Sequence, residues 1–273
     1  MLRLTAASRQ QRLAELIDAG NGITISTIAE SYGVSTETIR RDLLQLEKSG
    51  RIHRVHGGAL PAGRKAPVAM RMQEHGDEKR QIAKLVVPLL EADQWIFMTS
   101  GSTTLEVARE LSRGPTLSVL TNMPMIAEAL HGPAKHRVSL TGGDYSYENG
   151  ALEGQQVLDA IQECVFDTSI IGVFGLDVNH GMLEADKYYQ RLKQKIVERS
   201  RKVIFVADQS KLGTTGNCCS IPFEKVGMLV TDVPPPPAIA EKLADAGATV
   251  IYPEQKQPVR ELERDERGGG PRD

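Results

Sequence analysis

The stretch V-S-T-E-T-I-R-R-D-L-L-Q-L-E-K-S-G-R-I-H-R-V-H-G-G-A, residues 34–59, decides the reading of this chain. Ile39, Leu43 and Leu46 fall at i, i+4 and i+7, one face of a helix. Thr36, Glu37, Arg40 and Arg41 fall on other faces. Ser35 stands at an N-cap, and Glu37 in the first turn, where the helix dipole favours a negative charge. The pattern predicts a helix over 35–49, stopped by Gly50, with one buried side and one cationic side. After it Ile52 and Val55 alternate with Arg51, His53, Arg54 and His56, which predicts a short basic strand ending at Gly57-Gly58.

Working outward, residues 8–19 read as a helix with Leu13, Leu16 and Ile17 facing inward, broken by G-N-G at 20–22. A second helix over 26–32 carries Ile28 and Ala29, and Gly33 permits a tight turn. Helix, short helix, glycine, helix and basic strand is the order of a winged helix-turn-helix. Over 40–56 five cations (Arg40, Arg41, Lys48, Arg51, Arg54) oppose Asp42 and Glu47, a surplus of three. A major-groove helix reads bases with residues near its N-terminus, and forked Arg–guanine pairs are the commonest such contact. Thr36, Glu37, Thr38, Arg40 and Arg41 are the candidates for that role, with Arg51, His53, Arg54 and His56 on phosphates or in the minor groove. The bland alternative leaves Arg40 and Arg41 in surface pairs with Glu37 and Asp42.

The totals narrow the class. The 273 residues are 40% hydrophobic and 25% charged with net charge -2, so a nucleic-acid site must be a local patch. Neither a membrane span nor a signal-peptide core is visible, which predicts a cytoplasmic protein without a membrane partner. Cys164 stands alone and Cys218-Cys219 are adjacent, which suits neither zinc nor a disulfide framework, and no cofactor is expected.

Residues 1–60 are expected to form the DNA-binding domain, 61–76 a linker, 77–253 an effector-binding domain and 254–273 a disordered tail. Beyond residue 76 the grammar changes. W-I-F-M, L-S-V-L, V-S-L, T-S-I-I-G-V-F, K-V-I-F-V-A and M-L-V-T read as strands. Helical patterns at 79–91, 104–111, 125–130, 188–199 and 238–246 separate them, which predicts a parallel α/β sheet covered on both faces.

The 34–59 stretch closely resembles the DNA-binding signature of the DeoR family of bacterial regulators of sugar metabolism. The similarity continues in family order through T-S-G-S-T-T, V-L-T-N, L-T-G-G, G-V-F-G-L-D, A-D-Q-S-K-L-G and L-V-T-D, and spans about 7–252. The resemblance implies a transcription regulator, usually a repressor. It also implies a C-terminal domain similar to ribose-5-phosphate isomerase that senses phosphorylated sugars or related metabolites. This chain has Met98 before T-S-G-S-T-T, a departure from the family, where an acidic residue often stands two places before the glycine region.

The sensor residues also have a physical reading. Ser100, Gly101, Ser102, Thr103 and Thr104 form a strand-to-helix turn that offers N–H groups, hydroxyls and a helix dipole to an anion. The P-loop and dinucleotide spacings are absent. Further polar or glycine-rich turns follow strands at Thr121-Asn122, Gly142-Gly143 and Gly175 to Asp177, and ligands gather at the carboxyl ends of parallel strands. Lys211 and Lys187 are candidates for ligand charge, and Asp177 and Glu184 for sugar hydroxyls, while Asp208 reads as a turn cap. Similar isomerases carry a D-G-A-D motif and a K-G-G-G-G loop. Here the first aspartate falls on Phe174 and the lysine loop is missing, which favours binding without turnover over an isomerase with a DNA-binding appendage. Operator symmetry predicts a homodimer or homotetramer on double-stranded DNA.

Overall fold

The computed structural model describes residues 5–18, 24–49, 51–55, 58–61, 66–214 and 216–253. Helices α1 (Ala6–Asp18), α2 (Ile25–Tyr32) and α3 (Thr36–Lys48) come first. Strands β1 (Ile52–Val55) and β2 (Gly58–Pro61) follow and pair antiparallel, Ile52 opposite Pro61. The expected basic strand is therefore half of a hairpin. Leu13, Ala14, Ile17, Ile28, Ala29, Ile39, Leu43, Leu46 and Ile52 form a separate small core. Thr24 caps α2, and Gly33 ends it at φ 62°. Ser35 caps α3, its side chain accepting from the Thr38 N–H at 3.2 Å.

The stretch expected as a linker is partly built into the next unit. Helix α4 (Val68–Gln73) lies inside it, and Val68 is 5% exposed in the core of the α/β region. The Val68 N–H donates to Glu148 O at 2.8 Å. Val68, Ala69, Met70 and Met72 are too few and too close together to show a period, so the sequence pattern does not reveal this anchor.

The α/β region continues with α5 (Gly76–Val86), β3 (Trp95–Met98), α6 (Ser102–Leu111), β4 (Ser118–Thr121), α7 (Pro124–Ala129) and β5 (Arg137–Leu140). A hairpin of β6 (Asp144–Ser146) and β7 (Ala151–Glu153) leads to α8 (Gln155–Gln162), β8 (Phe166–Gly172), β9 (Gly175–Asp177) and β10 (Gly181–Glu184). Last come α9 (Lys187–Glu198), β11 (Ser200–Ala207), β12 (Cys218–Ile221), β13 (Met228–Thr231), α10 (Pro237–Asp245) and β14 (Thr249–Ile251).

Seven parallel strands form the main sheet in the order β14-β13-β11-β8-β3-β4-β5. Ile96 and Met98 face α5, α6 and α7, whereas Phe97 faces α8 and α9 in a second core. From β3 the chain winds outward to β5, and from β8 it winds the other way to β14. The order therefore reverses between β3 and β8, and the crevice outside their carboxyl ends is where such sheets bind ligands.

Three expectations change. The 79–91 helix ends at Val86 because Pro88, which lacks an N–H, sits in a 3-10 turn over 87–89. Gly175 to Asp177 is not a strand-end turn. It is β9, paired antiparallel with β10 in a small β12-β10-β9 sheet, because G-L-D lies in extended register with G-M-L. Helix α8 and strand β14 join the expected elements. The expected disordered tail, 254–273, lies outside the described residues.

Candidate functional site

The helix-turn-helix presents a cationic face. Arg40 and Arg41 side chains are 62% and 79% exposed. Thr36 is exposed beside them, and Thr38 is partly buried with its hydroxyl 2.9 Å from Ser35. Glu37 lies between the arginines, 3.9 Å from Arg40 and 3.6 Å from Arg41, contacts too exposed to hold either side chain firmly. Asp42 does not join them. It is 4% exposed and ion-paired with Arg9 of α1, and its Oδ1 accepts from Gln10 at 3.0 Å. The bland pairing of the arginines with Asp42 is thereby removed, because that carboxylate is spent inside the domain. Arg51 is exposed before β1, and His53 and Arg54 lie on β1. His56 lies outside the described residues.

The second site lies at the β3–β8 switch point. The Ser100 N–H donates to Asn122 Oδ1 at 2.9 Å, which ties the ends of β3 and β4 together. Gly101 precedes the first turn of α6, whose leading N–H groups have no partner within the helix. Ser102 and Thr103 open that turn, and their hydroxyls make no hydrogen bond among the described residues. Thr104 is different: it is fully buried and donates to Thr99 O at 2.7 Å and Gly101 O at 2.9 Å. Thr121 is also committed, donating to Met98 O at 2.8 Å and accepting from the Met123 N–H at 3.1 Å. These two hydroxyls shape the turn and are not free for a ligand. Gly142 and Gly143 have φ of 75° and 116°, and a Cβ on Gly143 would lie 2.5 Å from Glu153 O. Gly143 serves close backbone approach, and Gly142 a left-handed turn.

Of the candidate charges, Lys211 lies in a 3-10 turn after β11, next to Asp208. Asp208 is fully buried; its Oδ1 accepts from the Ser210 N–H at 3.0 Å, while Oδ2 has no hydrogen-bond partner. It therefore caps its turn, as expected, and also offers an open acceptor. Glu184 is 1% exposed and ion-paired with Lys193, which also donates to Gly172 O. Lys187 is exposed at the start of α9. The structure does not bring Asp177 to the crevice. Its Oδ1 takes the Asn179 N–H at 2.9 Å, the His180 N–H at 3.1 Å and the His180 ring at 2.7 Å, in the β9–β10 turn. Those bonds lower its pKa against the effect of burial.

Sequence reasoning missed two cations that the fold adds. Lys79 is 3% exposed, and its ammonium donates to Arg71 O at 2.5 Å and to Glu74 O. Burial lowers its pKa, Asp208 opposes that shift, and Lys211 adds to it. Arg71 donates to Ala66 O at 2.8 Å, is likewise lowered by burial, and feels Tyr189 and Glu184. Both lie in a stretch without motif character, so only their burial marks them. Lys79 feels the charge of both Arg71 and Lys211, and none of the three has a carboxylate ion pair among the described residues. An anion there would relieve their mutual repulsion.

Residues 9–62 match the family described as DeoR-like helix-turn-helix domain, and residues 74–233 the DeoR C terminal sensor domain. The HTH-type transcriptional regulator GlpR of Haloferax volcanii is 34% identical over 90% of this chain and 97% of its own. The glycerol-3-phosphate regulon repressor of Escherichia coli is 32% identical over 87% and 95%. Ribose 5-phosphate isomerase A of Methanocaldococcus jannaschii overlaps 50% of this chain and 55% of its own at 14% identity and a TM-score of 0.36, too partial a likeness to carry weight. No helix among the described residues is long and apolar enough to cross a membrane. Two matching domains, joined by the exposed arginines of α3 at one end and the strand-end crevice at the other, place this chain in the DeoR family of helix-turn-helix transcription regulators.

Proposed function

We propose that the chain represses a carbohydrate-metabolism operon and leaves its operator when a phosphorylated sugar or sugar alcohol fills the strand-end crevice. The supporting observations are the cluster in which Lys79 feels both Arg71 and Lys211, and the open hydroxyls of α6 that follow β3 at the switch point. The phosphate would sit on the first turn of α6 against these cations. Asp208 Oδ2 would accept from a ligand hydroxyl. The name of the Escherichia coli relative makes glycerol 3-phosphate the first compound to try. The domain binds without turnover, since Phe174 cannot ionise where similar isomerases place a carboxylate. The regulator works in the cytoplasm as a dimer or tetramer, with Arg40 and Arg41 of each copy entering the major groove. A coupling of about 1–3 kcal/mol between the sites changes operator affinity several-fold to a hundredfold.

The test is fluorescence anisotropy on DNA from the chain's own promoter region, titrated with phosphorylated compounds and their unphosphorylated parents. Release by a phosphorylated compound but not by its parent supports the reading. Equal release by both, or unchanged affinity throughout, counts against it.

A further inference from the structure

Three carboxylates are linked to the residues that form the crevice, and they differ in what holds them. Glu184 is neutralised by Lys193. Asp208 is bonded to Ser210 and feels the charge of Lys79 without pairing to it. Glu153, at the end of β7, pairs with neither cation. Its Oε1 accepts from the Tyr189 hydroxyl at 2.7 Å and from the Asn149 side chain at 2.9 Å. Both donors are neutral, and among the described residues Glu153 has no ion pair and its Oε2 no hydrogen bond. The carboxylate is held in place by hydrogen bonds and by no cation among the described residues.

Its place is tied to the anion-facing turn. The Leu152 N–H donates to Asn122 O at 2.7 Å, and Asn122 Nδ2 donates back to Leu152 O at 3.1 Å. The same Asn122 receives the Ser100 N–H. The Tyr189 hydroxyl, which is 2.7 Å from Glu153, also bonds the Ser100 side chain. One tyrosine hydroxyl thus separates Glu153 from the turn.

We propose that Glu153, anchored by Tyr189 and Asn149, sets the chemical class of the effector: a monophosphate whose far end carries hydroxyls, not a second anion. This rests on the crevice being a phosphate site. The cations attract any phosphate, so they give no ground to reject a monophosphate ester that also carries a carboxylate or second phosphate. Glu153 does. A ligand hydroxyl donates to its open Oε2, whereas a second anion has no proton to give and meets a like charge in a partly desolvated site.

Matched pairs test this on the full chain by calorimetry. Glycerol 3-phosphate is compared with 3-phosphoglycerate, and glucose 6-phosphate with 6-phosphogluconate. Each acid replaces a neutral terminus of a phosphate ester with a carboxylate. The alcohol or sugar is expected to bind at least ~10-fold tighter than its acid. In Glu153→Gln that ratio should shrink to within about threefold, mainly because the acid gains affinity. Tyr189→Phe, which removes the anchor but keeps the charge, should retain a preference for the neutral member. Equal binding of both members by the parent, or an unchanged ratio in Glu153→Gln, overturns the proposal and leaves the phosphate site standing. No binding of these compounds or of inorganic phosphate by the parent overturns the phosphate site itself, and the proposal with it.

Discussion

Asp42→Ala should unfold the DNA-reading domain and leave the sensor intact. The Asp42 and Arg9 side chains are 5% and 11% exposed, so truncating the carboxylate strands a guanidinium between α1 and α3. Removing one member of a buried pair costs ~3–5 kcal/mol. A unit of about 55 residues has a total stability of ~3–8 kcal/mol, so the loss takes most of it. The protein's one tryptophan, Trp95, lies on β3 in the sensor. Tryptophan fluorescence in urea therefore follows the sensor, while far-UV circular dichroism follows both units. The variant should lose part of its helical signal well before the tryptophan transition, which should not move. Operator binding should vanish and the thermal shift with effector should remain. Replacing Arg9 and Asp42 together by Met and Leu should recover much of the lost stability, since an apolar pair leaves no charge buried. Parent-like operator affinity and unchanged hydrogen exchange in α3 of Asp42→Ala would sink the argument.

Arg41→Ala should cost operator binding about 1–3 kcal/mol while leaving effector affinity alone, and equal operator affinity in both proteins would exclude a base contact. Lys79→Met should weaken a phosphorylated effector at least ~10-fold, by loss of a charge-assisted bond. It should also change the pH dependence of stability. The pKa of folded Lys79 is lowered, so between that value and the ordinary lysine value the unfolded chain holds the extra proton and stability rises with pH. Parent stability minus variant stability should therefore climb through that alkaline window, and a flat difference would refute the assignment. Glu184→Gln should destabilise the sensor by ~3–5 kcal/mol because Lys193 stays buried and charged, seen as an earlier tryptophan transition; an unmoved transition would mean the ammonium finds another partner.

How much of this was legible depended on whether a residue acts through a local pattern or a distant contact. Ser35, Gly33 and the Ile39–Leu43–Leu46 face announce themselves by spacing, and the structure has the cap, the left-handed turn and the buried face. The β3 loop is legible because strand, glycine and hydroxyls are consecutive. Asp42 was only half legible: on a helical wheel it lies about 40° from Leu46, at the edge of the buried face, but its partner Arg9 comes from α1, 33 positions away. Arg71 and Lys79 look like surface cations because a cation bonded only to backbone carbonyls leaves no paired residue in the sequence to mark it. Asp177 misled for the opposite reason. Its aspartate-to-glycine stretch reads equally as a ligand loop or as a hairpin turn, and the partner β10 settles the choice. Glu153 is reached only through Tyr189, 36 positions away.

The anchoring of Val68 in the sensor bears on how far the DNA-reading heads can roam. The wing ends at Pro61 and the anchored stretch resumes at Ala66, which is 5% exposed. Five steps of fully extended chain span at most ~18 Å. In the proposed dimer two such leashes supply ~36 Å between them, about one turn of duplex DNA. A regulator on so short a leash cannot search for distant half-sites by itself. The way two sensors associate would dictate the spacing of the operator, and an effector that turns one sensor against the other would move both heads off register together.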